Sequence, residues 1–156
     1  MNQIKLLVMD VDGTLTDGRI YIGNTGELFK AFSVKDGLGI KKLKSFGIIP
    51  VIITGRQSDI VSQRANELGI VEFYQGIENK LELLKTILIK HHLTLDNVAY
   101  IGDDENDLDC IRVCKLSACP RDAAKVIKPY CNFCSDYNGG EGAVRDFIEF
   151  ILKEGE

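Results

Sequence analysis

The chain has 156 residues, enough for one domain with a full hydrophobic core and too few for two, so we expect a single domain over 1–156. Hydrophobic residues make up 45% of the chain and charged residues 27%, which excludes disordered and fibrous classes. The formal net charge of −4 comes without a basic stripe, so no nucleic-acid partner is expected. No apolar run has the length of a membrane-spanning helix, so no membrane partner is expected either.

In chain order, apolar runs of strand length alternate with amphipathic stretches of helical period. The strands are predicted at 5–9, 48–53, 98–101, 116–118 and 132–134. Helices are predicted from near Asp36, from Ser58 as an N-cap, from Asn79 as an N-cap, and over the C-terminal stripe that includes Phe147. This alternation predicts an α/β fold, a doubly wound, Rossmann-like parallel sheet with helices on both faces.

Residues 19–32 interrupt the alternation and are typical of a β-hairpin around the polar turn 23–26. We call residues 18–33 the flap. An isolated hairpin is only marginally stable in water. This one carries six large apolar side chains, namely Ile20, Tyr21, Ile22, Leu28, Phe29 and Phe32. We therefore expect a neighbouring subunit to cover the flap.

The five cysteines fit reduced thiols better than a disulfide framework, because their number is odd and we expect no secretory signal peptide. The expected compartment is the cytoplasm. Cys131 and Cys134 have zinc-knuckle spacing, but no second Cys-x-x-Cys pair accompanies them. Buried cysteines acting as small hydrophobic side chains are favoured over a structural zinc. The adjacent His91 and His92 are interpreted as cations that close a helix, ahead of metal ligands.

Asp10 and Asp12 follow the first predicted strand, and Gly13 lets the chain turn away after them. Side chains two positions apart project to the same side, so both acids are expected at the sheet edge where open α/β folds bind ligands. Such a pair can hold a divalent metal and leave one oxygen free to attack. Taken alone, the segment also fits an ordinary polar turn after a strand.

Three later segments favour a phosphate site over that turn. Thr54 leaves the second strand into Gly55, where a hydroxyl and free N–H groups can bind a phosphate. Lys80 stands early in a helix, where a cation opposes the helix dipole, and a bound dianion would explain it. The third segment holds four carboxylates in five residues, Asp103, Asp104, Glu105 and Asp107. They repel one another unless a cation or water screens them, so Mg²⁺ is favoured over an acidic helix start.

These segments, in this order, resemble the four motifs of the haloacid dehalogenase superfamily of phosphotransferases. The motifs are Asp10-x-Asp12-Gly13-Thr14, Thr54, Lys80 and Gly102-Asp103-Asp104-x-x-Asp107. Over essentially the whole chain the sequence is similar to the capless 3-deoxy-D-manno-octulosonate 8-phosphate phosphatases. The segments that carry this similarity are Asp17-Gly18-x-Ile20-Tyr21, Lys35-Asp36-Gly37, Ile53-Thr54-Gly55-Arg56, Tyr74-Gln75-Gly76 and Gly139-Gly140-x-Gly142-Ala143-Val144-Arg145. Phosphatases of nine-carbon sialic-acid-type 9-phosphates are also similar, as are domains fused to acylneuraminate cytidylyltransferases.

The resemblance implies a catalytic role for each acid. Asp10 would be the nucleophile and a metal ligand, and would form an aspartyl-phosphate. Asp12 would protonate the leaving sugar oxygen and then activate water, while its main-chain carbonyl binds Mg²⁺ and Asp103 completes the protein ligands. Thr54 and Lys80 would hold the phosphoryl oxygens. Asp107 would steady Lys80 or the metal-bound waters, with Asp104 as a second candidate for that role.

For the rest of the substrate, Gly55 lies in the binding loop, and Arg56 is by charge and position the candidate for the sugar carboxylate. Arg64, on the next helix, is a weaker candidate. The resemblance further implies a flap in place of a cap domain and a homotetramer in which a neighbouring subunit closes each site.

The implied function is Mg²⁺-dependent hydrolysis of 3-deoxy-D-manno-octulosonate 8-phosphate, a sugar phosphate of lipopolysaccharide biosynthesis. A nine-carbon 9-phosphate substrate, or a tetramerising module related to acylneuraminate cytidylyltransferase, stays open. The full set of acids with Lys80 favours an enzyme over such a module. A receiver-like signalling domain would gain nothing from an acid/base at Asp12.

Overall fold

The structure is a computed structural model that describes residues 3–155, and in this range six strands form one parallel sheet. The strands are β1 Leu6–Met9, β4 Ile49–Ile53, β5 Glu72–Tyr74, β6 Val98–Ile101, β7 Leu116–Cys119 and β8 Phe133–Cys134, in the spatial order β5-β4-β1-β6-β7-β8. The helices are α1 Val34–Leu43, α2 Asp59–Glu67, α3 Lys80–His91, α4 Leu108–Val113 and α5 Ala143–Glu154. Strands β2 Tyr21–Gly23 and β3 Gly26–Phe29 form a separate antiparallel pair.

The sheet is buried on both faces, and this explains why its central strands are apolar at every position. In β1 all four residues are buried, with Leu7 and Met9 in the core beneath α1, α2 and α5. Leu6 and Val8 point the other way, into the core beneath α3 and α4. The doubly wound prediction is therefore confirmed.

The strand predictions hold to within a residue or two, except that β5 was not foreseen. This strand has only three residues, Glu72, Phe73 and Tyr74, and it lies at the edge of the sheet. Its charged first residue is buried because Lys90 and His91, at the end of α3, contact it at 2.6 and 2.8 Å. A short strand that begins with a carboxylate has too little pattern to be recognised.

β1 lies between β4 and β6 in the sheet. From β1 the chain goes on to β4 and β5 on one side and later crosses to β6, β7 and β8 on the other, so the strand order reverses direction at β1. Leu6 pairs with Ile49 on one side and with Val98 on the other. In open α/β sheets the ligand site lies outside the carboxyl ends of the strands at such a switch point. The predicted motifs follow β1, β4 and β6 directly, so the topology brings them to one place.

The caps of three helices set how the chain enters and leaves this edge. Ser33 caps α1, so this helix starts two residues before the predicted Asp36. Asn79 caps α3 by accepting the N–H of Glu82, as predicted. Ser58 occupies the N-cap position of α2 but makes no cap hydrogen bond. Its hydroxyl instead donates to Glu27 of the flap at 2.5 Å.

Four apolar side chains of the flap are exposed, namely Ile20, Ile22, Leu28 and Phe29. Ile22 is the most exposed of them, at 71%. The remaining two apolar side chains of the flap, Tyr21 and Phe32, have partners within the chain, although a neighbouring subunit was expected to cover all six. The ring of Tyr21 stacks on that of Phe29 with 4.2 Å between their centres, and Phe32 packs against the protein's own core. Within residues 3–155 no helix has both the length and the apolar character needed to cross a bilayer.

The five cysteines form no disulfide in the described range. Cys119 and Cys134 face each other across β7 and β8 with their sulfurs 3.4 Å apart. Cys131 donates from its thiol to the carbonyl of Ile127. Burial is the main factor that raises the pKa of Cys110, to about 12, so this thiol stays neutral at physiological pH.

Candidate active site

The loop after β1 brings the Asp10 and Asp103 carboxyl groups side by side. Asp10 donates its backbone N–H to the carbonyl of Ile101, which fixes the end of β1 against the end of β6. Gly13 has a φ of +87°, and a Cβ at this position would lie 1.9 Å from Asp103 Oδ2. The turn therefore needs glycine both for its backbone conformation and for the close approach of the second carboxylate.

Lys80 lies between the carboxylates of Asp10 and Asp107 and forms an ion pair with each. Its side chain is 1% exposed, and its Nζ donates to Asp10 Oδ1 and to Asp107 Oδ1, each at 2.9 Å. A lysine at the first position of α3 is unfavourable for the helix dipole, and these two ion pairs outweigh that small term. Burial by itself lowers the pKa of Lys80, but Asp10 and Asp107 more than compensate, so its pKa is raised. The ammonium is therefore charged at any physiological pH.

Asp107 is fully buried, and both of its oxygens are satisfied. Besides Lys80, its Oδ1 accepts the hydroxyl of Tyr100 at 2.5 Å. Its Oδ2 accepts the backbone N–H groups of Asp103 and Asp104 at 2.9 and 3.3 Å. Gly102 makes room for this carboxylate, because a Cβ there would lie 2.2 Å from its Cγ. Asp107, and not Asp104, is thus the acid that contacts Lys80.

The pKa values of Asp10 and Asp103 are raised, and a cation bound between the two carboxylates would lower them. Burial is the largest factor that raises the pKa of Asp10, to about 6, even though Lys80 opposes it. Burial, followed by the hydrogen bond to Asp10, raises the pKa of Asp103 to about 9. Neighbouring buried carboxylates repel unless one is protonated or a cation lies between them.

This donor set fits Mg²⁺, which prefers carboxylate and carbonyl oxygens. Oxygens of Asp10, Asp103 and Asp107 lie within 4.8 Å of one another. Asp107 is a poor ligand, because its oxygens already accept four hydrogen bonds, one of them from an ammonium. Among these three side chains, Asp10 and Asp103 are therefore the ones whose oxygens are available to hold the ion.

A cavity of about 250 Å³ opens in front of these carboxylates. It is lined by Asp10, Asp12, Gly18, Thr54, Gly55, Arg56, Asp103, Asp104 and Asn106. Thr54 is buried at the end of β4, where its N–H donates to the carbonyl of Tyr74 at 3.0 Å. Gly55 and Arg56 are exposed at the rim. The residues predicted to bind metal, phosphoryl group and substrate thus share one cavity, with Lys80 and Asp107 directly behind it.

Arg64 is the exception among the predicted site residues. Its guanidinium lies 5.5 Å from the centre of the Phe32 ring and 3.3 Å from Glu67, in a separate small pocket between α1 and α2. It also donates to the carbonyl of Ser33 at 3.4 Å. The side chain packs beneath the base of the flap, where its guanidinium lies over the aromatic ring in a cation–π arrangement. Arg64 is therefore left out of the proposed substrate site.

Two residues of the site were not foreseen from the sequence. Lys30, just after β3, places its Nζ 2.6 Å from Asp12 Oδ1, and Tyr100 anchors Asp107 from within β6. The sequence does show a lysine between Phe29 and Phe32 and a tyrosine in an apolar strand, so both polar groups could be expected to be buried. Each needs a partner when buried, but a sequence does not show which partner.

The fold and this site define a class, the haloacid dehalogenase-like hydrolases, and the model of that family matches residues 64–148. The 3-deoxy-D-manno-octulosonate 8-phosphate phosphatase of Salmonella typhi is 43% identical over 149 residues, which cover 96% of this chain and 79% of that protein. The enzyme of the same name from Escherichia coli K12 is 42% identical over the same shares. The chain belongs to this family of capless phosphatases.

Solved structures agree with that assignment. The structure of the Moraxella catarrhalis phosphatase in complex with a magnesium ion, a phosphate ion and a KDO molecule has a TM-score of 0.94 and 43% identity. The match covers 97% of this chain and 87% of that one. The cobalt-bound phosphatase of Haemophilus influenzae has a TM-score of 0.93 and 36% identity, over 97% and 89% of the two chains.

Proposed function

We propose that this chain is a Mg²⁺-dependent phosphatase that hydrolyses 3-deoxy-D-manno-octulosonate 8-phosphate to the free sugar acid and phosphate. The observation that carries the proposal is the buried chain of ion pairs from Asp10 through Lys80 to Asp107, next to Asp103. A fixed ammonium beside a nucleophilic carboxylate neutralises the charge of a phosphoryl group where that charge develops. Relatives named for this substrate match 96% of the chain, which supports the choice of sugar acid.

In the proposed reaction, an oxygen of Asp10 attacks phosphorus and the bond from phosphorus to the sugar oxygen breaks. Asp12 gives its proton to the departing oxygen and then takes a proton from a water molecule. The oxygen of that water attacks phosphorus, the bond from phosphorus to Asp10 breaks, and phosphate leaves. Mg²⁺, when bound, neutralises part of the phosphoryl charge. Lys80 neutralises another part, and Thr54 donates to a phosphoryl oxygen.

The cavity also suggests how the rest of the sugar is bound. A volume of about 250 Å³ lies below the range of about 300–1,000 Å³ usual for small-molecule sites. The phosphorylated end of the sugar fits, and the remainder extends to the rim where Gly55 and Arg56 lie. A guanidinium can hold a carboxylate through two parallel hydrogen bonds, so Arg56 is the proposed partner of the sugar carboxylate.

The exposed flap supports the further proposal of a homotetramer. Ile22, Leu28 and Phe29 are 71%, 59% and 51% exposed on a projection of only two short strands. Burial of such side chains contributes about 1.5–3 kcal/mol each. Symmetric pairing of flaps would bury them and would place a neighbouring chain at the open rim of each cavity.

We also propose the cytoplasm as the compartment. Five cysteines without a disulfide, two of them with sulfurs 3.4 Å apart, are usual for proteins of a reducing compartment.

The test is a panel of phosphate esters assayed for phosphate release. We expect the highest kcat/KM for the eight-carbon ulosonate 8-phosphate, less for a nine-carbon 9-phosphate, and least for a small aryl phosphate. The variant Arg56→Gln should raise KM for both sugar acids and leave that of the aryl phosphate unchanged. A higher kcat/KM for the nine-carbon ester would reassign the substrate, and no phosphate release from any ester would refute the phosphatase.

A further inference from the structure

Lys30 joins the flap to the acid/base residue of the proposed reaction. It follows β3 directly, and its Nζ lies 2.6 Å from Asp12 Oδ1. Its side chain is only 2% exposed, although it belongs to a projecting hairpin. Within residues 3–155, no other group hydrogen-bonds the side chain of Asp12. The contact therefore determines how this carboxyl group is oriented.

A second contact prevents Lys30 from swinging away. Its Nζ also lies 3.1 Å from Glu27 Oε2, and Glu27 Oε1 accepts the hydroxyl of Ser58 at 2.5 Å. Ser58 is fixed in turn, because its backbone N–H donates to Gln75 Oε1 at 2.8 Å. The lysine is thus held between the flap, the loop after β1 and the start of α2. Such cross-bracing lowers the rotamer freedom that an exposed lysine normally keeps.

We propose that Lys30 is a positioning residue that fixes which oxygen of Asp12 faces the substrate, an inference that rests on the proposed phosphatase activity. An ammonium has three donors and no acceptor, so Oδ1 of Asp12 must accept from it. The proton that reaches the leaving oxygen is then carried by Oδ2, and Oδ2 later takes the proton of the attacking water. Asp12 lines the cavity, so a fixed carboxyl group keeps this oxygen within reach of the reacting atoms in both steps.

The test compares two small aryl esters, phenyl phosphate and 4-nitrophenyl phosphate, which are similar in size but differ in how much the leaving oxygen needs a proton. In Lys30→Met, we expect kcat/KM for phenyl phosphate to fall on the order of 10²-fold, the lower end for loss of general acid catalysis. The fall for 4-nitrophenyl phosphate should be about tenfold smaller, because nitrophenolate leaves without protonation. The loss should appear in kcat, with KM nearly unchanged.

Matched variants separate positioning from a structural role of the flap. Lys30→Arg keeps a charged donor and should recover most of the activity on phenyl phosphate. Arg19→Met removes a cation from an exposed position of the same flap and should leave the ratio of the two rates unchanged. Lys30→Gln ends one atom short of the Nζ position, so it should shift the ratio as Lys30→Met does and replaces that variant if it does not fold.

Light scattering of each variant is the control, and each should keep the oligomeric state of the wild type. An equal loss on both esters, a change in KM alone, or a ratio unchanged in Lys30→Met or Lys30→Gln overturns the proposal. If the wild type hydrolyses no phosphate ester, the proposed function itself fails. An active wild type with an unchanged ratio in the variants removes only the role of Lys30.

Discussion

Replacement of Asp107 by asparagine tests the buried support of Lys80. The carboxylate has no exposed surface and accepts from Lys80, Tyr100 and two backbone N–H groups. An asparagine has one acceptor oxygen, so its NH₂ group must face either the two backbone donors or the Lys80 and Tyr100 donors. In both cases two donors lose their acceptor, at a cost on the order of 1–3 kcal/mol each.

One effect acts in the opposite direction. The charge of Asp107 raises the pKa of Asp10 and Asp103, so its removal relieves some repulsion among the carboxylates. This gain is smaller than the loss, because burial, and not the charge of Asp107, is the largest cause of both raised pKa values. We therefore expect Asp107→Asn to lower the free energy of unfolding by about 2 kcal/mol, which corresponds to about 4–8 °C in Tm for a chain of this size.

The assay is thermal or urea unfolding in EDTA, so that metal binding does not stabilise the folded state, together with phosphate release in Mg²⁺. Activity should fall because the Lys80 ammonium is no longer held between two carboxylates. Tyr100→Phe, which removes a single donor and no charge, serves as the control and should cost less stability. A variant Asp107→Asn that unfolds within 1 °C of the wild type and keeps its activity would refute the role given to this carboxylate.

The remaining predictions concern chemistry, metal, assembly and pH. Asp10→Asn and Asp12→Asn should each reduce phosphate release by at least ~10³-fold with an unchanged circular dichroism spectrum, since both act in the chemical steps; appreciable turnover by Asp10→Asn would exclude an aspartyl-phosphate. EDTA should abolish activity and Mg²⁺ restore it, whereas Ca²⁺ should support it poorly because its larger, looser shell misplaces the attacking oxygen; full activity in excess chelator would contradict the metal site. Ile22→Asp combined with Phe29→Lys should give monomers or dimers by light scattering, with a larger loss of kcat/KM on the sugar phosphate than on an aryl phosphate; a monomeric wild type would show that the flap has another role. Burial raises the pKa of Asp36 from the ordinary 3.8 to about 6. The folded state then holds this proton more tightly than the unfolded chain, so the contribution of Asp36 to stability should fall by up to about 3 kcal/mol as pH rises from about 4 to about 6. Asp10 and Asp103 have raised pKa values too and add to this fall in EDTA, so the measured slope should be shallower in Asp36→Asn than in the wild type. An unchanged slope would mean that other groups dominate this range.

Asp36 also shows a long-range contact that only the folded chain reveals. Its Oδ1 accepts the backbone N–H of Arg145 at 2.8 Å, so a residue of α1 satisfies a free donor in the first turn of α5. The two partners are 109 positions apart in the chain. Neither local propensity nor periodicity carries information about such a pair.

The sequence by itself determined the elements whose signal is local. β1 and β6 were predictable because a strand buried on both faces must be apolar throughout, and the acids that follow them mark where those strands end. Since parallel strands end at one edge, the order of the motifs alone predicted that Asp10, Thr54 and Asp103 meet. The cap of α3 was also predictable from a local signal, because Asn79 and the Glu82 N–H group that it accepts are only three residues apart.

The tertiary structure alone decided which side chains pair within that site. Nothing local distinguishes Lys30, which reaches Asp12, from Arg64, which turns under the flap to lie over Phe32. Both are long cations near apolar residues, and their positions depend on how the flap and α2 pack. A charged side chain leaves water only where a distant part of the chain supplies a partner, and that partner exists only once the chain has folded.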